Sequence, residues 1–483
     1  MTELWRLSAA ELLDGYARRA FSPVEVTAAV LERIAAKDGL LHSFLVVDDA
    51  GARAAARRAE ATWLQAGEKP LLCGVPVHLK DTIDMAGFPT TYGSLAFRDN
   101  FQADAEIVRR LRAAGAVILG KTNTPEFALS GVTRNRLGPP TANPWDLRRT
   151  AGGSTGGGAA AVAAGFGPLC VGTDSAGSVR LPAAYNGIFA LKPSFQRIPA
   201  VQAWRASPAR SHNGPIARTV RDTALLMNAI AGPHPLDPDS ARHAPVDYLE
   251  FARGDVRGAR VALSRDFGRG IALDADQARI LDEARAVLNQ LGCSVIEDDP
   301  PAPSGTDELE PGVWAYSGDH YAAAEALIPN FWEKHADDLT DYARPIYAAG
   351  RHALAWQYRG ILRRDRAYGE AVRQWFADYD FLLTPSNPEA PLLDAPDAAD
   401  NKRLFGFQAP FNHAYNPAAA VPMGLSSNGL PLSVQIAGRL GDDVGTLRLA
   451  ALMEAANPWA QRRPLAIDEV PLRCNHSEEA HRP

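Results

Sequence analysis

Two serine clusters and one upstream lysine carry the residues of this chain best placed for covalent chemistry. Ser154 sits in Gly152-Gly153-Ser154-Thr155-Gly156-Gly157-Gly158, and Ser175 and Ser178 sit in Gly172-Thr173-Asp174-Ser175-Ala176-Gly177-Ser178-Val179-Arg180. Lys80 lies near the end of Gly74-Val75-Pro76-Val77-His78-Leu79-Lys80-Asp81. A serine hydroxyl is a weak nucleophile until a base takes its proton, and a lysine can be that base only as the free amine. Glycine this dense lets backbone approach backbone or ligand without Cβ obstruction. A flexible linker is equally glycine-rich, but it would not run on into an Ala/Val helix pattern and an apolar strand, as residues 159–171 do. A phosphate loop needs Gly-Lys-Ser/Thr after its glycines, and none follows here. A nucleophile elbow fits Gly-x-Ser-x-Gly at Ser154. It should follow a buried strand, whereas Asn143 to Arg149 carries three charges and a proline. The remaining reading joins both serines to Lys80.

The elements that must position these groups read as follows. The first 70 residues are helical, with capping boxes at Ser8…Glu11 and Ser22…Glu25 and a further helix from Asp49 to Gln65. Val75 to Leu79 forms a strand delivering Lys80, and its apolar Val75, Val77 and Leu79 suit a desolvated amine. An amphipathic helix from Asp104 to Ala114 precedes the short strand Ala116 to Leu119. Gly157 to Ala164 is a helix and Leu169 to Val171 a strand. Thr219 caps a helix running to Ala231. Strands at Arg260 to Leu263 and Ser294 to Ile296 flank a helix from Asp274 to Leu291. Such alternation implies an α/β fold with a largely parallel sheet covered on both faces.

Composition narrows the function classes. The 483 residues carry a formal net charge of −6 with both signs interspersed, which disfavours a nucleic-acid or anionic-membrane surface. The cysteines Cys73, Cys170, Cys293 and Cys474 stand far apart and read as reduced thiols. Met1 to Arg6 shows no basic segment leading into an apolar core, so a cytoplasmic protein is expected. The uncharged run Thr150 to Thr173 contains Pro168 and too much glycine for a membrane span. His78, His212, His320 and His413 lack ligand spacing, so no metal is expected.

The two serine blocks and the lysine block, in this order, resemble the amidase signature hydrolases. Further matches are Gly120-Lys121-Thr122-Asn123-Thr124-Pro125-Glu126-Phe127, Gly187 to Pro193 and Gly429 to Gly438. The resemblance implies one large twisted mixed sheet with helices on both faces. It implies a catalytic Lys80, Ser154 and Ser178, with Ser178 attacking, and backbone oxyanion donors from Ser175, Ala176, Gly177 and Ser178. It also implies a cis Gly153–Ser154 peptide and needs no cofactor, and Asp174 and Arg180 are expected to pair and hold the turn from Asp174 to Ser178. Two residues depart from the pattern. Thr155 stands where a second serine is usual, and Ala176 where a glycine is usual. Were position 176 to need φ > 0, alanine would cost about 1 kcal/mol.

A single domain is expected over 1–473, with N-terminal helices at 1–70, a catalytic core at about 71–232, a variable substrate wall at about 300–376 and a polar tail at 474–483. Residues 311–376 hold four of the nine tryptophans and six of the twelve tyrosines, an enrichment outside the catalytic blocks. Most of these rings are expected to pack helices. Trp314, Tyr316, His320 and Tyr321, in a loop-like run broken by Pro311, Gly312 and Gly318, are expected to line a cleft with Leu129 and Ser130. The expected activity is hydrolysis of bulky or aryl amides, with aryl esters and carbamates in reach, by a monomer or homodimer whose partner is a small-molecule substrate. The rival readings are the amidase component of a tRNA-dependent glutamine amidotransferase, an α/β-hydrolase-type esterase using Ser154, and a binding protein on the same scaffold.

Overall fold

The computed structural model describes residues 3–204, 209–270, 272–301, 309–394, 405–464 and 466–469, with the backbone alone for 309–316. The polar tail expected at 474–483 lies outside the described residues. The strands in chain order are β1 (Phe44–Val47), β2 (Pro76–Lys80), β3 (Val117–Thr122), β4 (Ala142–Asn143), β5 (Asp146–Thr150), β6 (Leu169–Asp174) and β7 (Phe189–Lys192). They continue with β8 (His212–Ala217), β9 (Arg260–Leu263), β10 (Ser294–Glu297), β11 (Phe381–Pro385), β12 (Ala418–Leu425) and β13 (Pro431–Gly438). Strands β4 and β5 form a separate ribbon. The other eleven make one sheet in the order β1-β3-β2-β6-β8-β7-β12-β13-β11-β9-β10.

The sheet is mixed. Parallel pairing is confined to β3-β2-β6 near one edge and β11-β9-β10 at the other. From β6 to β11 every neighbour is antiparallel. The expectation of a largely parallel sheet therefore fails. Helix–strand alternation builds the flanks, but the centre comes from the β7/β8 return and the β12–β13 hairpin, whose turn uses Gly429 at φ 78°. A second correction concerns the first 70 residues, which include the edge strand β1, antiparallel to β3.

The helices are α1 (Ala9–Ala17), α2 (Pro23–Leu41), α3 (Asp49–Leu64), α4 (Glu106–Ala113), α5 (Gly156–Ala164), α6 (Arg180–Tyr185), α7 (Val220–Ile230) and α8 (Ala275–Gln290). After them come α9 (Leu309–Leu327), α10 (Phe331–His335), α11 (Ala343–Gly350), α12 (Ala355–Trp375), α13 (Pro410–His413) and α14 (Asp443–Ala456). Both expected capping boxes form, at Ser8–Glu11 and Ser22–Glu25. Among the described residues no helix is long and apolar enough to cross a membrane.

Side-chain alternation along each strand divides the core. Val77, Leu79, Ile118, Leu169 and Val171 join a large apolar cluster with Val108 of α4, Leu226 of α7, Leu281 of α8 and Leu447 of α14. Val75, just before β2, lies in the same cluster. His78 and Lys80 take the other parity of β2. The apolar residues expected to dry Lys80 therefore pack on the opposite face of the sheet.

The segment expected as a loop is the helix α9. Pro311 falls in its first turn, where no N–H partner is required. Gly318 and Gly350 serve a close helix crossing rather than a turn. A Cβ on Gly350 would lie 2.3 Å from Ser317 O, and one on Gly318 would touch Ala353 Cβ at 3.3 Å.

Gly157 and Gly39 make opposite expectations testable. A Cβ at Gly157 would lie 2.5 Å from both Asn123 N and Ser43 O, whereas Gly39 in α2 has nothing within 4 Å. Gly157→Ala should destabilise by about 1–3 kcal/mol, and Gly39→Ala should stabilise by about 0.5–1 kcal/mol. Urea midpoints of the two variants give the check.

Candidate active site

Lys80 ends β2 wholly buried. Its Nζ lies 2.6 Å from Ser154 Oγ, 2.8 Å from Thr173 Oγ1 and 3.4 Å from Thr173 O. Burial pushes the Lys80 ammonium down to about 7, against the opposing charge of Asp174. The amine is thus shared between the neutral and charged forms near neutral pH, and its nearest hydroxyl is a serine.

Ser154 follows the β4–β5 ribbon and precedes α5. Its peptide with Gly153 is cis. The surroundings leave no room for larger residues: a Cβ on Gly153 would stand 2.5 Å from Ser130 O. Thr124 Oγ1 donates to Ser154 O at 2.9 Å, and Thr133 Oγ1 donates to Gly152 O at 2.8 Å. The two serine turns are joined where Thr155 N–H donates to Ser178 O, 3.1 Å. Thr155, where a serine was usual, packs its side chain against the space a Cβ on Gly172 would take, 2.5 Å away. The ribbon before Ser154 lies outside the main sheet, so the strand required by a nucleophile elbow is missing.

The Ser178 turn leaves β6 at Asp174 and enters α6 at Arg180. Asp174 and Arg180 form a wholly buried two-pronged ion pair, Nη2 to Oδ1 2.9 Å and Nε to Oδ2 3.0 Å. Burial alone would push the Asp174 carboxyl up. The Arg180 guanidinium and its hydrogen bonds win and hold it well below the usual carboxylate range. Asp174 Oδ1 also accepts from Gly177 N–H, 2.7 Å, and Oδ2 from Val179 N–H, 3.2 Å. Arg180 Nη1 donates to Gln435 Oε1 and Gln408 O, and Nη2 donates to Asn412 Oδ1. Gly177 takes φ 128°, and a Cβ there would meet Gln408 Cβ at 2.6 Å. Ala176 keeps a negative φ, so the strain considered for alanine does not arise.

Gly177 N–H is committed to Asp174, which removes it from the expected oxyanion donors. The Ser175, Ala176 and Ser178 amides bond to no described residue and stay available.

Beside this turn opens a cavity of about 220 Å³. Thr82, Thr173 and Ser175 line the side next to Lys80 and the Ser178 turn, Tyr92, Phe127, Trp204 and His320 an aromatic wall, and Gln196 and Asn213 a polar one. The wall is tightly stacked: Phe127 lies parallel to Trp204 at 5.5 Å, and Tyr92 is 4.7 Å from Trp204. Tyr92 (φ 51°), Phe127 (51°), Ala128 (60°) and Gln196 (56°) hold left-handed backbone in this wall, a conformation that favours glycine.

An Amidase family model matches residues 25–447. The chain belongs to the amidase signature family. It is an amidohydrolase acting on amide C–N bonds. It is similar to an acylamidase of Rhodococcus erythropolis, 37% identical over 96% of this chain and 98% of that one. It is also similar to a component of the glutamyl-tRNA(Gln) amidotransferase of Roseiflexus castenholzii, 34% identical over 96% of this chain and 98% of that one. The solved structure of a bacterial aryl acylamidase of the amidase signature family superposes with TM-score 0.88, 28% identity, and coverage of 96% of this chain and 99% of that one.

The amidase blocks thus converge as the sequence suggested, but the substrate wall does not. Leu129 and Ser130 are buried away from the cavity. Leu129 packs in the aromatic cluster with Phe97 and Phe331, and the Ser130 hydroxyl accepts from Val132 N–H. Tyr321 flanks the same cluster, and of the four expected wall residues of α9 only His320 is seen lining the cavity. The side chains of Trp314 and Tyr316 lie outside the described residues. Burial pushes His320 down to about 3, so it faces the cavity neutral. His78, edge-on to Phe44 at 5.5 Å, is likewise held neutral, at about 3. Thr173, Trp204, Gln196 and Asn213 were missed. Thr173 lay in plain view in the second serine block, whereas the others sit in stretches with no periodic signal. Among the described residues no three His, Cys, Asp or Glu side chains gather as metal ligands would.

Arg180→Met should expose the cost of the buried pair. It leaves the Asp174 carboxylate unpaired, so stability should fall by about 3–5 kcal/mol, read from urea unfolding. A loss below about 1 kcal/mol would mean that solvent or another cation replaces the guanidinium.

Proposed function

We propose that this amidase works through an acyl-enzyme on Ser178, driven by a Lys80–Ser154–Ser178 relay. The observation that carries the reading is the wholly buried Lys80 amine 2.6 Å from Ser154 Oγ. Neutral Lys80 takes the Ser154 proton as Ser154 takes that of Ser178, and Ser178 Oγ attacks the amide carbonyl. The tetrahedral oxyanion is met by the free amides of the Ser175–Ser178 turn. The C–N bond breaks as the proton returns through Ser154 to the leaving nitrogen, releasing amine or ammonia. Water then attacks the ester by the same route and frees the acid.

Bulky or aryl amides are the favoured substrates, with aryl esters and carbamates within reach. The aromatic wall of Tyr92, Phe127 and Trp204 supports this, as does the likeness to an acylamidase and an aryl acylamidase. Glutamine is a poorer match. The described cavity lining contains no lysine or arginine to receive its α-carboxylate.

Ser178→Ala should lower kcat/KM by about 10⁴-fold or more, and Lys80→Ala and Ser154→Ala by similar factors that do not multiply in the double variants. A serine-directed phosphonate should label Ser178. A label on Ser154, with Ser178→Ala still active, would overturn the assignment.

With Lys80 pushed down to about 7, its reactive form is the deprotonated one. The logarithm of kcat/KM should rise with unit slope below that pH and level off above it. Lys80→Arg, protonated at every accessible pH, should show no such limb and almost no activity. An anilide should exceed acetamide and glutamine in kcat/KM. Equal turnover of the small amides would refute the wall's proposed part in selection.

A further inference from the structure

Gln196 lies 8% exposed in the cavity wall and Asn213 6% exposed, so both side chains are more than nine-tenths buried. The Gln196 carboxamide bonds to no described residue, yet it retains access to the cavity. Asn213, in β8 opposite Thr173, gives only a long bond from Nδ2 to Pro199 O, 3.4 Å, and its Oδ1 bonds to none. Buried polar groups are ordinarily satisfied, so two carboxamides open to one cavity point to a ligand that completes them.

The backbone gives an independent reason. Gln196 holds φ 56°, where glycine fits without strain. Its neighbours enforce this. Phe195 N–H donates to Tyr415 O at 3.2 Å and its ring stacks on Tyr415 at 4.4 Å. Arg197 N–H donates to Ser194 O at 3.1 Å, and Arg197 pairs with Asp443 at 3.0 Å. A long polar side chain kept at a glycine-favouring position, inside a cavity, fits a functional use better than a packing one.

The charge around the pair selects the ligand. No lysine or arginine is among the described lining residues, which disfavours a carboxylate or phosphate. The Asp237 carboxylate already accepts from the amides of Ala200, Asp239 and Ser240, and the exposed Asp239 lies 3.6 Å from Arg242, which disfavours an ammonium. What remains is a neutral group with one donor and one acceptor in a plane. We propose that Gln196 and Asn213 recognise a second amide in the substrate, separate from the one being cleaved, while the aromatic wall holds its ring. The inference rests on the amidase reading above and narrows its substrate class to diamides and acylated amino-acid amides.

Three probes test it: 3-phenylpropananilide, N-acetylphenylalanine anilide with its second amide on the acyl side, and 4′-(methylcarbamoyl)-3-phenylpropananilide with it on the amine side, where it is not an anilide. At least one of the latter two should exceed the first in kcat/KM by about fivefold or more, as a hydrogen bond or two would give. That ratio should fall to near one in Gln196→Gly and in Asn213→Ala. Gln196→Gly should also melt higher than the wild type, because glycine relieves the backbone. Calorimetric Kd values of the same probes on Ser178→Ala should follow the same ratios. Absence of turnover for all three, with the Kd preference intact, would sink the catalytic reading and leave this inference standing. Turnover without a preference, a preference that survives both substitutions, or a Gln196→Gly enzyme that melts lower would overturn it.

Discussion

The site depends on keeping one carboxylate quiet beside one amine. Asp174 lies close enough to Lys80 to favour its charged form, and burial favours the neutral form. Burial prevails because the Asp174 charge is largely spent elsewhere. Arg180 grips both carboxylate oxygens, and the amides of Gly177 and Val179 and the side chain of Asn412 take the remaining lone pairs. The same pair holds the Ser178 turn, drawing Gly177 N–H onto Asp174 while the Ser175, Ala176 and Ser178 amides bond to no described residue. It also ties that turn to β13 through Gln435 and to α13 through Asn412. One interaction thus sets the field at Lys80, holds the Ser178 turn and couples residues far apart in the chain.

Local sequence revealed the parts of the site that are contiguous. Lys80, Ser154, Ser178 and the Asp174–Arg180 pair each sit in a block that the family resemblance marked out, and the helix after Ser154 was legible in its Gly/Ala pattern. The strand delivering Lys80 was also legible, but its dry surroundings were assigned to the wrong face. Val77 and Leu79 alternate with Lys80, so they cannot enclose it. The space around Nζ is instead closed by Ser154, Thr173 and the glycine- and alanine-built α5, whose Gly157 and Gly158 let the helix lie directly on the sheet.

The wall was illegible for a different reason. Tyr92, Phe127, the β7–β8 connection with Gln196 and Trp204, and His320 are four separate stretches, and no periodicity links them. Composition pointed to the aromatic segment after residue 310, and its described rings mostly pack, as expected. Phe331 and Tyr347 back the Phe127 ring, and Trp375 lies tilted against Tyr379 and bonds Asp298, whereas Trp356 is exposed. Glycines misled as well. Gly318 looked like a turn signal, but it and Gly350 lie where two helices approach closely, a use of glycine that only tertiary structure distinguishes.

The proposed catalysis and the proposed selection thus draw on different kinds of structure. The proposed relay stands on β2, β6 and the starts of α5 and α6, where sheet hydrogen bonds and a buried ion pair hold the backbone. The wall stands on connections that adopt left-handed backbone at bulky residues, held there by anchors such as the buried Glu126. Its carboxylate accepts from Ser94 and from both the amide and hydroxyl of Thr340, tying the inserted helices to the core beside Phe127. Strain stored in such a wall is tolerated because the core beneath it is rigid. On the proposed reading, a change in the wall would alter what fits against Ser178 without passing through the contacts that set Lys80, so substrate choice would drift while the chemistry stays fixed.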